Sequence, residues 1–353
     1  MKRALASAPE LDVADAAKKA KQARGPATPC KGSQVAPQAS YASFKAVASP
    51  PKATCLTDGV QLAGGAILPA VGFGTYKLTK GEASGPVGEA LRLGYRLIDT
   101  ASVYENEGDV GVAVRNSGIP REQVFLETKH WRSSHGYERT MKLCKQSLKK
   151  LGVEYIDLYM IHWPGCKTGW PLPKGTMAPK DWTPAMRDEG TWRAMEDLYE
   201  QGKLKAIGVC NYSVRHLQQL MKSCRVKPMV NQVEFHPLLV QTDLLEFCKE
   251  HGIVLQAYAS LGSGDASQTA AFFALPPVKA AAAAHGVTPA QILLRWALEK
   301  GMHVIPKSTR AERMEENSGI FKFQLTPEEV CAIDALHQGK RFAWKGLDPD
   351  SIE

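Results

Sequence analysis

The sequence predicts a single α/β domain in which eight β-strands alternate with helices and close into a (β/α)8 barrel. Three observations predict it. Apolar, β-branched runs alternate with amphipathic stretches from residue 56 onward, a glycine repeatedly stands where a helix should stop, and eight candidate strands can be counted. Alternating strands and helices imply a parallel sheet, and eight such units are the number that closes a barrel.

The strands are expected at 69–75, 96–101, 123–129, 155–161, 205–210, 228–234, 254–259 and 303–307. The stop signals are the junctions Leu93-Gly94 into YRLID, Leu151-Gly152 into VEYIDLYMI, Gln201-Gly202 into KLKAIGV, His251-Gly252 into IVLQAY and Lys300-Gly301 into MHVIP. Glycine just past a helix adopts the left-handed conformation at least steric cost, and a strand follows at once in each case. Helix starts agree. Thr288-Pro289-Ala290-Gln291 is a capping box ahead of Ile292, Leu293 and Trp296, and Thr326-Pro327-Glu328-Glu329 repeats it ahead of Val330, Ile333 and Leu336. Ser213 precedes Val214, Leu217, Leu220 and Met221, the spacing of one helical face. A doubly wound dinucleotide fold would want G-x-G-x-x-G after the first strand. The nearest approach, Gly72 to Lys77, lacks the third glycine.

Composition is that of an ordinary globular protein, 44% hydrophobic and 23% charged, which is ample for a large core. The net charge of +8 is concentrated: residues 1–52 hold nine Lys and Arg against Glu10, Asp12 and Asp15, so six of the eight net charges lie there. Residues 1–54 are rich in Ala, Lys, Pro and Ser, have no sustained apolar period, and are expected to be a disordered basic tail ahead of a barrel domain at 55–353. Met1-Lys2-Arg3 with Lys18, Lys19, Lys21 and Arg24 suggests organelle targeting as an alternative, which the early acids oppose. Aromatic interleaving is absent apart from Tyr41 and Phe44, so no nucleic-acid partner is expected. No window is long and apolar enough to span a bilayer. Eight scattered cysteines without a C-x-x-C pair fit a reducing, cytoplasmic setting, and with no H-E-x-x-H spacing no metal is expected.

In a parallel barrel the site lies at the C-terminal strand ends. Reading those ends gives Asp99, Lys129, His162, Asn211, Gln232, Tyr258, Lys307 and Ser308, with Tyr104 on the loop past Asp99. The set lacks a nucleophile elbow and a carboxylate pair for glycosidic cleavage. Its usable elements are an acid, an amine, a phenol and an imidazole. A phenol with an ordinary pKa of about 10 becomes a better acid beside an ammonium, which favours the phenolate and is expected to lower that value. Asp99, Lys129 and Tyr104 therefore read as orienter, tuner and general acid, and His162 as a hydrogen-bond partner for the substrate oxygen. Such an array protonates a carbonyl while a cofactor delivers hydride.

Across residues 56–346 the chain resembles the aldo-keto reductases. The matching segments are GFGTY (72–76), LIDTASVYENE (97–107), ETKHW (127–131), DLYMIHWP (157–164), GVCNYS (208–213), NQVEFHP (231–237) and IPKSTRAERMEEN (305–317). The resemblance implies a catalytic set of Asp99, Tyr104, Lys129 and His162. The histidine favours carbonyl reduction, since members that reduce a steroid double bond carry Glu there. It implies NADPH as cofactor, with Asn211 and Gln232 on the nicotinamide carboxamide, Tyr258 against the ring, and Leu261 to Gly264 over the pyrophosphate, Ser263 included. Lys307, Ser308, Thr309 and Arg313 match the 2′-phosphate site, Glu316 and Asn317 the adenine contacts, and Gly74 and Thr75 complete the cofactor set. Tyr76, Trp131 and Trp163 resemble the walls of the substrate pocket, with His162. A monomer is implied.

The chain departs from the family at Cys210, where serine is usual, and at His130, usually aliphatic. The segment from Pro164 to Gly190 (with Trp170 and Trp182) and the loop at 264–277 are individual, so substrate preference does not transfer. Single residues also admit plainer readings: Lys129 as a Schiff-base lysine, Asn211-Tyr212-Ser213 as a glycosylation acceptor, Cys166 and Cys224 as reactive thiols. Trp192, Trp296 and Trp344 read as packing residues. Two functions follow: a reductase of small aldehydes, dicarbonyls or keto-sugars, or an NADPH-binding sensor with little turnover.

Overall fold

A computed structural model describes residues 53–166 and 181–352. The expected tail up to residue 52, and Trp170, lie outside the described residues. The chain first forms a hairpin, β1 (Gly59–Gln61) antiparallel to β2 (Ile67–Pro69). The parallel sheet then runs β3 (Phe73–Gly74), β4 (Leu97–Asp99), β5 (Phe125–His130), β6 (Leu158–Ile161), β7 (Ile207–Cys210), β8 (Val230–Glu234), β9 (Val254–Tyr258) and β10 (His303–Val304) in sequence order. Each falls inside, or within a residue of, one expected strand. The first and last strands meet through Gly72 N–H to Val304 O (2.8 Å), Val304 N–H to Ala70 O (2.9 Å) and Gly74 N–H to Pro306 O (3.1 Å), which brings the sheet round on itself.

Strand alternation sorts the core into two layers. Ile98, Leu126, Tyr159, Ile161, Val209 and Val233 face outward and pack with the helices. Leu97, Phe125, Leu158, Met160, Cys210 and Val230 face inward, joined by Val60, Leu62 and Leu68 of the hairpin. The hairpin thus covers the starts of the strands. The sequence reading did not separate it from the first strand, because its apolar positions are few and its turn is a loose run of Ala and Gly.

The punctuation holds. Gly94, Gly152, Gly202, Gly252 and Gly301 all have positive φ, between 68° and 100°. Reciprocal capping boxes are present at Ser213, Thr288 and Thr326. The 264–277 segment, read as a loop, contains the helix Ala266–Phe273, whose first N–H groups bond to Asp265 Oδ1 at 2.9 and 3.0 Å. Its sequence has little amphipathic period, so a cap rather than a pattern specifies it.

Gly111 in the helix Glu107–Asn116 lies against the Leu151 carbonyl, where a Cβ would collide with backbone. Gly111→Ala should therefore lower stability by about 1–3 kcal/mol despite better helix propensity. Thermal unfolding checks this, and an unchanged Tm would refute the close approach.

Candidate active site

Period-two alternation places Glu127 and Lys129 of β5 on one face, the interior, beside Asp99, Gln232 and Gln256 from β4, β8 and β9. Lys129 is fully buried, and its ammonium donates to Asp99 Oδ1 and to Thr100 O at 2.8 Å. A buried ammonium is costly unless paired, so the carboxylate and the carbonyl fix the position of Nζ. Tyr104 closes the short turn Ser102–Tyr104 after β4. Lys129 Nζ lies 5.3 Å from the Tyr104 ring centroid, and the His162 ring stands edge-on to Tyr104 at 5.7 Å.

Burial sets the protonation states. It holds His162 well below the usual imidazole value, with the Lys129 charge adding to the effect, so the ring is neutral. It also pushes the Tyr104 phenol well above 10, reinforced by Asp99. This corrects the expectation that the ammonium lowers the phenol. Desolvation outweighs the cation, and the Asp99 charge that holds the ammonium offsets it.

The C-terminal ends enclose a cavity of about 160 Å³, lined by Asp99, Tyr104, His162, Asn211, Gln232 and Tyr258 and continuing past Gly74, Leu261 and Ser263 to Lys307. Asn211, at φ 59°, donates from Nδ2 to His162 O at 2.9 Å and accepts at Oδ1 from the Tyr258 hydroxyl at 2.7 Å. Two of the three residues assigned to the nicotinamide, Asn211 and Tyr258, are thus braced against each other. The cavity opens into a groove walled by Tyr76, Val103, Trp131, Phe342 and Trp344.

Some expected residues lie elsewhere. Trp163 is buried against Trp344, with ring centroids 5.9 Å apart, and is not among the residues lining the cavity or its groove. Thr75 is buried behind Gly74. Cys210 turns into the core, its Sγ 3.7 Å from Met160 Sδ, so it offers the cavity nothing in place of the usual serine. His130 likewise packs outward on Ser134 O and Thr140 Oγ1. Beyond Lys307, Ser308 is tied to the Arg310 backbone and Glu316 to Thr288 and Gln291. Thr309 and Arg313 are exposed, and Asn317 is buried in the helix Ala311–Ser318, so these five stand outside the cavity lining.

Other residues escaped the sequence reading. Trp344, taken as packing, stands over the site: its ring contacts Tyr76 (5.4 Å), Trp131 (6.2 Å) and His162 (5.6 Å). Trp344 and Lys345 have φ of 53° and 59°, a conformation side chains disfavour, which the aromatic contacts hold in place. Glu234 Oε1 accepts the Phe342 and Ala343 N–H groups at 2.7 and 2.8 Å and anchors this segment. Lys77 donates to Ser263 O at 3.1 Å, linking the first loop to the segment assigned to the pyrophosphate. Glu127 and Gln256 carried a usable signal, spacing of two from Lys129 and Tyr258.

Fold and site together define a parallel barrel with acid–base groups gathered at its C-terminal strand ends. The chain belongs to the aldo-keto reductase family: residues 70–338 match the model of the Aldo/keto reductase family. It is 42% identical to a 9,11-endoperoxide prostaglandin H2 reductase of Trypanosoma cruzi, over 84% of this chain and 97% of that one. It is 41% identical to a glyoxal reductase of Bacillus subtilis, over 85% and 99%. Among solved structures, an aldo-keto reductase enzyme from a Medee basin deep-sea metagenome library superposes with a TM-score of 0.73 at 39% identity, covering 82% of this chain and 98% of that one. The aldose reductase of Schistosoma japonicum gives 0.73 at 34%, covering 80% and 93%. The family is one of oxidoreductases acting on carbonyl groups with nicotinamide cofactors.

Proposed function

We propose that this protein reduces aldehydes or ketones to alcohols with NADPH, using Tyr104 as proton donor. The observation that carries the reading is the convergence of Tyr104, His162 and the Lys129–Asp99 pair on one cavity that runs on to Lys307. The cavity's chemistry fits the cofactor. Ser260 Oγ and His162 Nδ1 are buried in its wall without a hydrogen-bond partner, and Lys77 and Lys307 face each other closely enough that their repulsion, added to burial, lowers the Lys307 pKa. Two cations drawn together call for an anion between them.

Bound nicotinamide supplies the hydride. The chain does the rest: neutral His162 donates a ring N–H to the substrate oxygen, and Tyr104 gives that oxygen its proton. Lys129, held by Asp99, stabilises the phenolate left behind. Asn211 and Gln232 present amide groups to the carboxamide. The aromatic groove of Tyr76, Trp131 and Trp344 suits a small apolar or aromatic carbonyl compound. The barrel at 55–353 is taken as a single domain working as a cytoplasmic monomer.

NADPH consumption by the purified protein against aldehydes, dicarbonyls and keto-sugars tests the reading. Tight NADPH binding with no turnover would replace it with the sensor. Lys307→Ala should weaken NADPH by about ten- to a hundredfold, the contribution of a charged hydrogen bond, and NADH far less. Titration by cofactor fluorescence checks this, and equal losses would refute the 2′-phosphate assignment.

A further inference from the structure

Beneath the Asp99–Lys129 pair lies a second carboxyl group that the mechanism does not use. Glu127 is fully buried on β5, two residues before Lys129 and facing the same interior. Its neighbours are amides. Gln256 Nε2 donates to Glu127 Oε2 at 3.2 Å, and Gln232 Nε2 lies 2.6 Å from Gln256 Oε1, 3.0 Å from Asp99 Oδ1 and 3.4 Å from Glu127 Oε1. Gln232 has two N–H donors for those three acceptors. The longest contact, to Glu127 Oε1, is the one left over.

The charges point the same way. Among the described residues, Lys129 is the one cation facing the two carboxyl groups, and its ammonium is spent on Asp99 and Thr100 O. The remaining titratable neighbours, Tyr104 and the buried Cys210 thiol, are held neutral. Two ionised carboxylates around one ammonium would leave an uncompensated negative charge in the middle of the barrel, the costliest place for it. A proton on Glu127 removes that charge and supplies a donor that hydrogen-bonds to Asp99.

We propose that Glu127 is a positioning residue of the catalytic site: a neutral carboxylic acid that donates to Asp99 and, with Gln232 and Gln256, fixes the carboxylate that holds Lys129. The placement leaves Lys129 one anion rather than two, so its charge remains available to the phenolate that Tyr104 becomes during carbonyl protonation. Burial and the Asp99 charge act together to raise the Glu127 pKa well above the usual carboxyl range. This inference rests on the proposed reductase reading for its kinetic part alone.

The test compares wild type with Glu127→Gln and Glu127→Leu. The infrared spectrum of the wild-type protein at neutral pH should contain a protonated-carboxyl carbonyl band that Glu127→Gln lacks. This measurement needs no activity, so it stands even if the reductase reading fails. Glu127→Gln keeps a neutral donor and should retain kcat close to wild type. Glu127→Leu removes it, and kcat should fall on the order of ten- to a hundredfold with KM little changed, the signature of a misplaced catalytic group. If Glu127→Leu does not fold, the band and Glu127→Gln decide. No acid band, a Glu127→Gln variant that loses activity while folded, or a Glu127→Leu variant with wild-type kcat would each overturn the proposal.

Discussion

Tyr104→Phe should abolish most carbonyl reduction while leaving NADPH binding intact. Removing one hydroxyl deletes the only atom in the proposed mechanism that delivers a proton, and general acid catalysis contributes about 10²–10⁴-fold. The ring itself remains, so its contacts with Tyr76 (5.2 Å) and His162 (5.7 Å) and the shape of the cavity survive. Steady-state turnover and a cofactor titration on the same preparation separate the two effects. Retained activity would mean that the proton comes from elsewhere, with neutral His162 next in line. The elevated phenol adds a pH expectation. A group pushed above its ordinary value keeps its proton throughout the neutral range, so the rate of reduction should stay level there and decline only in alkali. A phenol tuned downward would instead lose its proton, and the rate would fall, as pH rose through neutrality.

Lys129→Met should cost both activity and stability. Methionine fills much of the same volume but leaves Asp99 buried without its cation, above a second carboxyl group at Glu127. Breaking a buried ion pair from one side typically destabilises by about 3–5 kcal/mol, because a charge is stranded rather than because the pair was strongly favourable. The loss should shrink as pH falls, since protonating the stranded carboxylate removes the charge that cannot be paired. Activity should not return with it, because the ammonium that stabilises the phenolate is gone. Chemical denaturation at neutral and mildly acidic pH reads the first effect, turnover the second. A variant equally stable at both pH values and still active would contradict the role assigned to the pair.

Much of this protein was legible along the chain. Eight apolar runs, five glycine stops and two capping boxes specify the order of strands and helices because each acts locally, within a turn or a pleat, and needs no knowledge of distant residues. The groups at the strand ends could be named for the same reason: a parallel barrel fixes which end of every strand carries the site. Asp99, Tyr104, Lys129, His162, Asn211, Gln232, Tyr258 and Lys307 do line or adjoin one cavity. What the chain order could not decide was set by contacts between segments far apart in sequence. Trp344 reads as packing until the C-terminal segment, anchored on Glu234, is seen to bring it over His162. Trp163 sits in a motif with His162 but is buried against the Trp344 ring and does not line the cavity. The Tyr104 phenol is raised rather than lowered because desolvation depends on the whole surrounding volume, not on the nearest charge. Glu127 is the sharpest case. Its position two residues before Lys129 predicts a shared face, but only the closed barrel brings Asp99, Gln232 and Gln256 from three other strands around it, and their donors and charges decide its protonation.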